Sequence, residues 1–243
     1  MQQAIPTVPY SQLAPTLKTG DIIMFSGTQL LDFGIYLLEI AKGLPPISHI
    51  GIVFKFPQGD RTADVLFWQA APGPEGPGLP NIGQMFGNDY IKMMPSDGCQ
   101  LVSLDTVMTV SAQAASSSPA AFYARRITPA FTDELIAEME TFIRQMAGRS
   151  FSSPIKGGML IDYTQGELGI QSPNDTFFCS KLASATFQAI GLLPPTIITN
   201  DILPGFFASD TVSLLNGYGF DDGVLIDVSG LLPTSATPSG TTT

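Results

Sequence analysis

The chain has 243 residues and a formal net charge of -10, from 11 Lys and Arg against 21 Asp and Glu. This charge opposes contact with the phosphates of nucleic acids and with anionic membranes, so we expect neither as a partner. Charged residues make up only 13% of the chain, and a surface so poor in charge favours a homo-oligomer, an apolar partner surface or an apolar substrate.

No segment has the pattern of a membrane span or of a secretory signal. The best charge-free window, Leu182 to Asn200, is broken by Pro194 and Pro195, and the first twenty residues lack a basic stretch followed by an apolar run. We therefore expect no transmembrane segment and a cytoplasmic location. Two cysteines and one histidine are too few for a disulfide scaffold or a zinc site, so we predict no metal and no cofactor.

The first half of the chain has the periodicities of a mixed α and β domain. The expected elements are a strand at Asp21 to Phe25, a largely buried helix at Gln29 to Lys42, a half-buried strand at Ser48 to Phe56 and a strand at Asp64 to Ala71. The two later strands form a hairpin in this interpretation. The long stretch from Pro72 to Gly98 is rich in Gly and Pro, which is typical of a lid or substrate-facing loop.

The second half continues the mixed pattern. We expect a strand at Gln100 to Val110, a flexible connector at Ser111 to Ala121, a strand at Phe122 to Ile127, a helix from the cap Thr132 to Gly148, a helix from near Thr176 to Ile190 and a hairpin of Val212 to Leu215 with Val224 to Val228. Residues 1–231 are then one α+β domain, and residues 232–243 are a disordered tail.

Cys179 lies in the first turn of the later predicted helix, which Asn174, Asp175 or Thr176 would cap. The amino terminus of a helix carries partial positive charge and unpaired amide donors, which stabilise a thiolate and could hold an oxyanion. The alternative is that Cys179 is a small buried hydrophobic residue, the commonest fate of a cysteine. The other cysteine, Cys99, follows a loop and is interpreted as non-catalytic.

His49 is the single histidine of the chain and lies on the less apolar face of its strand, beside Gly51, which would leave space next to the ring. A cysteine at a helix start and a strand histidine are the minimum for a thiolate nucleophile with a general base. If paired positions of the hairpin sum to an even number, Gln69 lies opposite or diagonal to His49 and could orient its imidazole. The alternative is that Gln69 is simply a polar residue on a wet face of the sheet.

Four motifs together resemble the circularly permuted papain-fold amidases of the YaeF/YiiX type, which are related to NlpC-like peptidases and to lecithin:retinol acyltransferase. They are LKTGDIIMFSG, SHIGIV, LFWQA, and IDYTQGELG followed by FFCSKLASATFQAIGLL. The resemblance implies a permuted papain-like (NlpC-type) α+β fold, with an antiparallel sheet packed against the helix that carries the cysteine. It also implies that Cys179 is the nucleophile, His49 the base and Gln69 the polar residue that follows on the next strand.

The chain departs from this family at two positions. Relatives commonly have a glutamate where Gln69 stands, and a neutral amide would orient the ring without stabilising an imidazolium by charge. Lys181 stands where many relatives have a glutamate, and we expect it to lie on the helix surface. Asp162 and Tyr163 match an Asp-Tyr segment of the family that would line the cleft, although a loop tyrosine is the simpler interpretation.

The expected function is therefore a thiol-dependent hydrolase that cleaves an amide (peptide or isopeptide) or ester bond through an acyl-cysteine intermediate, on a peptide or acyl-lipid substrate. One alternative is a lipid acyltransferase or thioesterase on the same fold. The other is a non-catalytic interaction or structural module, which the Gln69 departure and the sparsely charged surface favour.

Overall fold

Seven strands form one mixed sheet in the computed structural model of the chain, which describes residues 5–27, 33–58, 64–71, 98–115, 120–152, 158–209 and 211–232. Four shorter strands of the described residues form two further pairs. All the strands, in chain order, are β1 (Thr7–Pro9), β2 (Ile22–Gly27), β3 (His49–Phe54), β4 (Leu66–Ala71), β5 (Gly98–Ser103), β6 (Ala120–Arg125), β7 (Ile127–Thr128), β8 (Ser150–Phe151), β9 (Thr176–Phe177), β10 (Gly219–Phe220) and β11 (Val224–Asp227). The two further pairs are β7 with β10 and β8 with β9. The helices are α1 (Tyr10–Leu13), α2 (Phe33–Ala41), α3 (Leu104–Ala115), α4 (Asp133–Met146), α5 (Gly158–Glu167), α6 (Cys179–Ala189) and α7 (Pro204–Ala208). The predicted α+β class is confirmed.

The order of the large sheet is β1-β11-β6-β2-β3-β4-β5. Its pairs are antiparallel except that of β1 with β11, which is parallel. The sheet is therefore mixed, whereas an antiparallel one was expected, because β1 adds beside β11 in the same direction. The predicted closing hairpin is also wrong, since β11 pairs with β1 and β6 and Val212 to Leu215 lie outside any strand.

The hairpin of β3 and β4 is confirmed, with Ile52 opposite Trp68 and Val53 opposite Phe67. Alternate residues of these strands belong to two buried apolar clusters, which lie on opposite faces of the sheet. The α6-side cluster includes Ile22, Met24, Ile50, Ile52, Trp68, Leu182 and Phe187. The far-side cluster includes Ile23, Phe25, Val53, Phe67 and Phe122, with Tyr10 and Leu13 of α1 and Leu104 and Met108 of α3.

Strand β3 is consequently buried on both faces, and the half-buried strand that its alternation predicts is wrong. Residues from Ile50 to Phe54 are all buried, because α1 and α3 cover the face that would otherwise meet water. The alternation of apolar and less apolar residues therefore separates two packed layers in this strand.

The segment that follows β5 is a helix, where a strand and a flexible connector were expected. Residues 104–115 form α3, with Asp105 in its first turn and Leu104, Met108 and Ala112 buried at spacings of four. Its Thr and Val residues have strand propensity, yet the four-residue apolar spacing and the alanines favour a helix. Helix α4 matches its prediction, since the Thr132 side chain accepts a hydrogen bond from the Leu135 amide.

Helix α2 is less buried than its apolar sequence predicts. Leu37 and Ile40 are 49% and 51% exposed, while Ile35 and Glu39 are buried. The expected start of this helix near Gln29, the proposed lid between Pro72 and Gly98 and the predicted tail lie wholly or mostly outside the described residues. Within the described part of the chain, no helix is both long and apolar enough to cross a membrane.

Candidate active site

Cys179 is the first residue of α6. The predicted cap at Asn174, Asp175 or Thr176 is wrong, because Thr176 and Phe177 form β9, which pairs with β8 and delays the helix. Phe178 stands at the capping position and offers no side-chain hydrogen bond. The amides of the first turn therefore receive no cap from that side chain, as a site for a thiolate or an oxyanion requires.

The Cys179 side chain is buried, with 3% exposure, and belongs to the α6-side cluster. The residue before it, Phe178, packs against Ile35 of α2 and Met159 of α5. These two helices therefore flank the start of α6. Neither Cys179 nor Cys99 forms a disulfide, and burial raises the pKa of the Cys99 thiol despite the nearby charges of Lys181 and Arg149.

His49 and Gln69 are hydrogen-bonded, with 2.7 Å between Nε2 and Oε1. An amide oxygen only accepts, so Nε2 donates, and the neutral ring keeps its lone pair on Nδ1. Burial lowers the pKa of His49, and the hydrogen bond to Gln69 partly opposes this. The ring is therefore neutral near pH 7, which is the protonation state of a general base. The observed register pairs Ile52 with Trp68, so the numbers of paired residues sum to an even number, as expected, and His49 and Gln69 lie on the same face of the sheet.

The His49 ring lies on the far side of the sheet. It contacts the rings of Phe25 and Phe67, with centroids 5.5 Å and 6.2 Å away. The space expected beside Gly51 is filled by Phe67, whose Cζ would lie 2.4 Å from a Cβ at position 51. The structure thus brings His49 and Gln69 together and places Cys179 in the cluster on the opposite face.

His49 and Cys179 nevertheless lie at the same end of the sheet. Trp68, opposite Ile52, donates its indole N–H to Thr186 in α6. Cys179 is seven residues before Thr186, about 10 Å along the helix, and His49 is three residues before Ile52, about 10 Å along the strand. The start of α6 is at this end because Cys99, which pairs with Ala70 near the end of β4, donates its amide to the Arg149 carbonyl beside β8. Strand β8 in turn pairs with β9, which leads into Cys179.

The Asp-Tyr segment is helical, and its two side chains make partly buried interactions that the sequence did not predict. Tyr163 of α5 is 4% exposed, and it donates its hydroxyl to Glu167 Oε1 at 2.9 Å. Burial raises the pKa of Tyr163 to about 12, so its hydroxyl stays protonated near neutral pH. Asp162 accepts hydrogen bonds from Ser152 and Thr176 and lies 3.8 Å from the Lys181 ammonium.

A cavity of about 170 Å³ lies against β2 and β6, away from these groups. None of Cys179, His49 and Gln69 lines it. The residues that do are Ile5, Met24, Ser26, Pro45, Pro46, Ile47, Tyr123, Ala124, Arg125, Ala208, Asp222, Gly223 and Val224. Over the described ranges, no three His, Cys, Asp or Glu side chains come together as metal ligands.

Comparison with solved structures shows a weak likeness of fold. No family model and no curated protein matches the chain. A solved structure of the metalloprotein yiiX from Escherichia coli O157:H7 is similar at 13% sequence identity and a TM-score of 0.43, over 70% of this chain. The match spans 64% of the length of that protein. A likeness of this size supports no conclusion about activity.

Proposed function

We propose that this protein is a thiol-dependent hydrolase that cleaves an amide or ester bond of a peptide or acyl-lipid substrate, in the permuted papain-like arrangement that its motifs imply. The observation that carries the proposal is the 2.7 Å hydrogen bond between His49 and Gln69. It holds a neutral imidazole in one tautomer, as a base requires, at the end of the sheet where Cys179 begins α6.

The proposed chemistry proceeds through an acyl-enzyme. The Cys179 thiol gives its proton to His49 Nδ1, and Sγ attacks the substrate carbonyl. Amides in the first turn of α6 stabilise the oxyanion, and the imidazolium returns its proton to the leaving amine or alcohol. Water then attacks the thioester, with His49 again taking the proton, and releases the acid and the Cys179 thiol. Another acceptor in place of water would give the acyltransferase.

This chemistry requires a rearrangement at the start of β3. The His49 ring must leave Phe25 and Phe67 and reach the α6 side of the sheet. His49 is the first residue of its strand and is half-buried, while the rest of β3 is buried. It is therefore the position of β3 that packing constrains least. The movement breaks the hydrogen bond to Gln69, which lies on the far side of the sheet. That bond therefore sets the tautomer of the resting state, and the moved ring is the reactive conformation of the proposal.

A non-catalytic interaction module is the second candidate. The observation that favours it is the far-side placement of His49, whose ring packs between Phe25 and Phe67. In this alternative the imidazole and Gln69 form a polar pair inside the far-side layer, and Cys179 is a small core residue. Such a protein needs no reactive thiolate.

The deciding experiment measures the rate of iodoacetamide labelling at Cys179 and Cys99 against pH, resolved by mass spectrometry. Wild type, His49→Ala and Ser103→Ala are compared, because Ser103 is a polar residue at the other end of β5, opposite Leu66, that the proposal does not use. The hydrolase predicts labelling of Cys179 well below the ~8.5 pKa of an ordinary thiol, lost in His49→Ala and kept in Ser103→Ala.

Two other outcomes would overturn the proposal in different ways. Low-pH labelling that survives in His49→Ala would remove His49 as the base and leave the α6 terminus as the activating group. Labelling of Cys179 that follows the same pH dependence as that of Cys99 would remove the nucleophile and favour the non-catalytic module.

A further inference from the structure

The Lys181 side chain is fully buried, with 0% exposure. The predicted surface location of this residue is therefore wrong. Its Nζ donates to Ser172 Oγ at 2.7 Å and to the carbonyl oxygens of Pro173 and Thr176 at 2.8 Å each. All three acceptors belong to residues 172–176, the segment that leads into Cys179. The Lys181 ammonium thus donates all three of its hydrogens to the segment that precedes Cys179.

This placement is unfavourable unless the surroundings compensate for it. A buried ammonium loses its hydration, and a cation in the first turn of a helix meets the partial positive charge of the helix terminus. Burial accordingly lowers the pKa of Lys181, while the charges of Asp162 and Asp175 oppose that change. The ammonium also lies over the Phe177 ring, 5.2 Å from its centroid.

Asp162 extends the contact to the neighbouring elements. Its Oδ2 accepts from Ser152 Oγ at 3.0 Å and from Thr176 Oγ1 at 3.4 Å, and it lies 3.8 Å from Lys181 Nζ. The carboxylate therefore links α5 to Ser152, which follows β8, and to Thr176 of β9. Lys181 and Asp162 together hold the segment before α6 from both sides.

We propose that Lys181 is a positioning residue that fixes residues 172–178 and thereby the first turn of α6 around Cys179. The expected effect on the Cys179 thiol rests on the proposed function, whereas the positioning of residues 172–178 does not. Without the ammonium, the segment loses three hydrogen bonds, the first turn frays, and its amides no longer stabilise a thiolate. The pKa of Cys179 then moves toward ~8.5, the ordinary value of a thiol.

The test compares Lys181→Met, which keeps the length of the side chain and removes its donors, with Lys181→Arg, which keeps charge and donors. Amide hydrogen exchange is measured over residues 172–182 and over α4 as an internal reference. The pH midpoint of Cys179 labelling is measured in the same variants. A midpoint reports the thiol pKa independently of access, because access changes the rate equally at every pH.

Lys181→Met is expected to exchange at least about tenfold faster over residues 172–182, with no change in α4, and to raise the labelling midpoint of Cys179. Lys181→Arg is expected to restore part of both effects. Exchange that is unchanged, or that increases equally in α4, overturns the positioning role. If Lys181→Met does not fold, Ser172→Ala, which removes one acceptor, should show the same local exchange to a smaller degree.

The two proposals fail separately. A wild-type Cys179 midpoint near ~8.5 would contradict the hydrolase, and hydrogen exchange alone would then decide whether Lys181 holds the segment. A low wild-type midpoint that stays unchanged in Lys181→Met would keep the hydrolase and overturn the proposed effect of Lys181 on the thiol.

Discussion

Trp68 donates its indole N–H to Thr186 Oγ1 at 3.0 Å, and both side chains are buried. The Thr186 hydroxyl in turn donates to the Leu182 carbonyl oxygen at 2.7 Å. One hydroxyl thus joins β4 to α6 and satisfies the only polar atom of the Trp68 side chain. This contact sets the position of α6, and with it Cys179, along the sheet.

Thr186→Val is expected to lower the free energy of unfolding by about 1 to 3 kcal/mol, the cost of leaving a buried donor unsatisfied. Valine keeps the shape of threonine, so the loss measures the hydrogen bond and not a cavity. Urea unfolding followed by fluorescence of the single tryptophan gives the value. Thr186→Ser keeps the hydroxyl and should lose less, and a larger loss in Thr186→Ser would contradict the assignment.

Glu39 is a fully buried carboxyl group between α2 and α7. Its Oε1 accepts the Gly205 amide at 2.5 Å, while Oε2 has no hydrogen-bond partner among the residues that the structure describes. Burial raises the pKa of Glu39 from 4.5 to about 8, against the hydrogen bonds from the Gly205 and Ile47 amides. The folded chain therefore holds this proton more tightly than the unfolded chain does.

Stability should consequently fall as the pH rises from 4.5 to about 8, with a slope of at most about 1.4 kcal/mol per pH unit from this group. Glu39→Gln, which resembles the protonated acid, should remove that slope and be more stable than wild type at high pH. Urea unfolding of both proteins across this range checks the prediction. Parallel pH profiles for the two would show that Glu39 titrates normally.

Gly51→Ala tests the packing under the His49 ring. The added Cβ would lie 2.4 Å from Phe67 Cζ and 2.7 Å from the Trp68 carbonyl oxygen, so Phe67 must move. We expect a loss of about 1 to 3 kcal/mol in the free energy of unfolding, typical of an overpacked core. Gly219→Ala is the matched control, because a Cβ there meets nothing within 4 Å, and an equal loss in both variants would refute the packing explanation.

Local pattern was sufficient to predict the strands around the candidate site. The alternation of β3 and β4 and the even pairing sum place His49 and Gln69 on one face, and the structure joins them at 2.7 Å. The first turn of α6 was likewise predicted to contain Cys179. Both results depend only on residues close in sequence or on one hairpin.

The face on which these residues lie could not be predicted in the same way. Alternation shows which residues of β3 share a face, but both faces are buried, and the covering elements α1 and α3 come from distant parts of the chain. Lys181 was missed for a related reason, since its acceptors lie in a segment without regular periodicity. Burial of a charged residue leaves no mark in a hydropathy pattern.

The histidine pKa gives the most direct measure of the candidate site, because the chain has one histidine and its ring resonances need no assignment. Burial lowers the pKa of His49 from 6.5, and the Gln69 hydrogen bond raises it in part. The folded chain therefore binds this proton less tightly than the unfolded chain does. Stability should fall as the pH decreases through about 6.5.

An NMR titration should give a pKa below 6.5 in wild type and a still lower one in Gln69→Leu, which removes the hydrogen bond. Gln69→Glu, which adds a carboxylate beside the ring, should raise it, because an opposite charge favours the imidazolium. Ser103→Ala, at the other end of β5, should leave it unchanged. A wild-type pKa at or above 6.5, or one insensitive to Gln69→Leu, would show that the ring is solvated and lies apart from Gln69. The hydrogen-bonded pair, and the general base proposed from it, would then have to be abandoned.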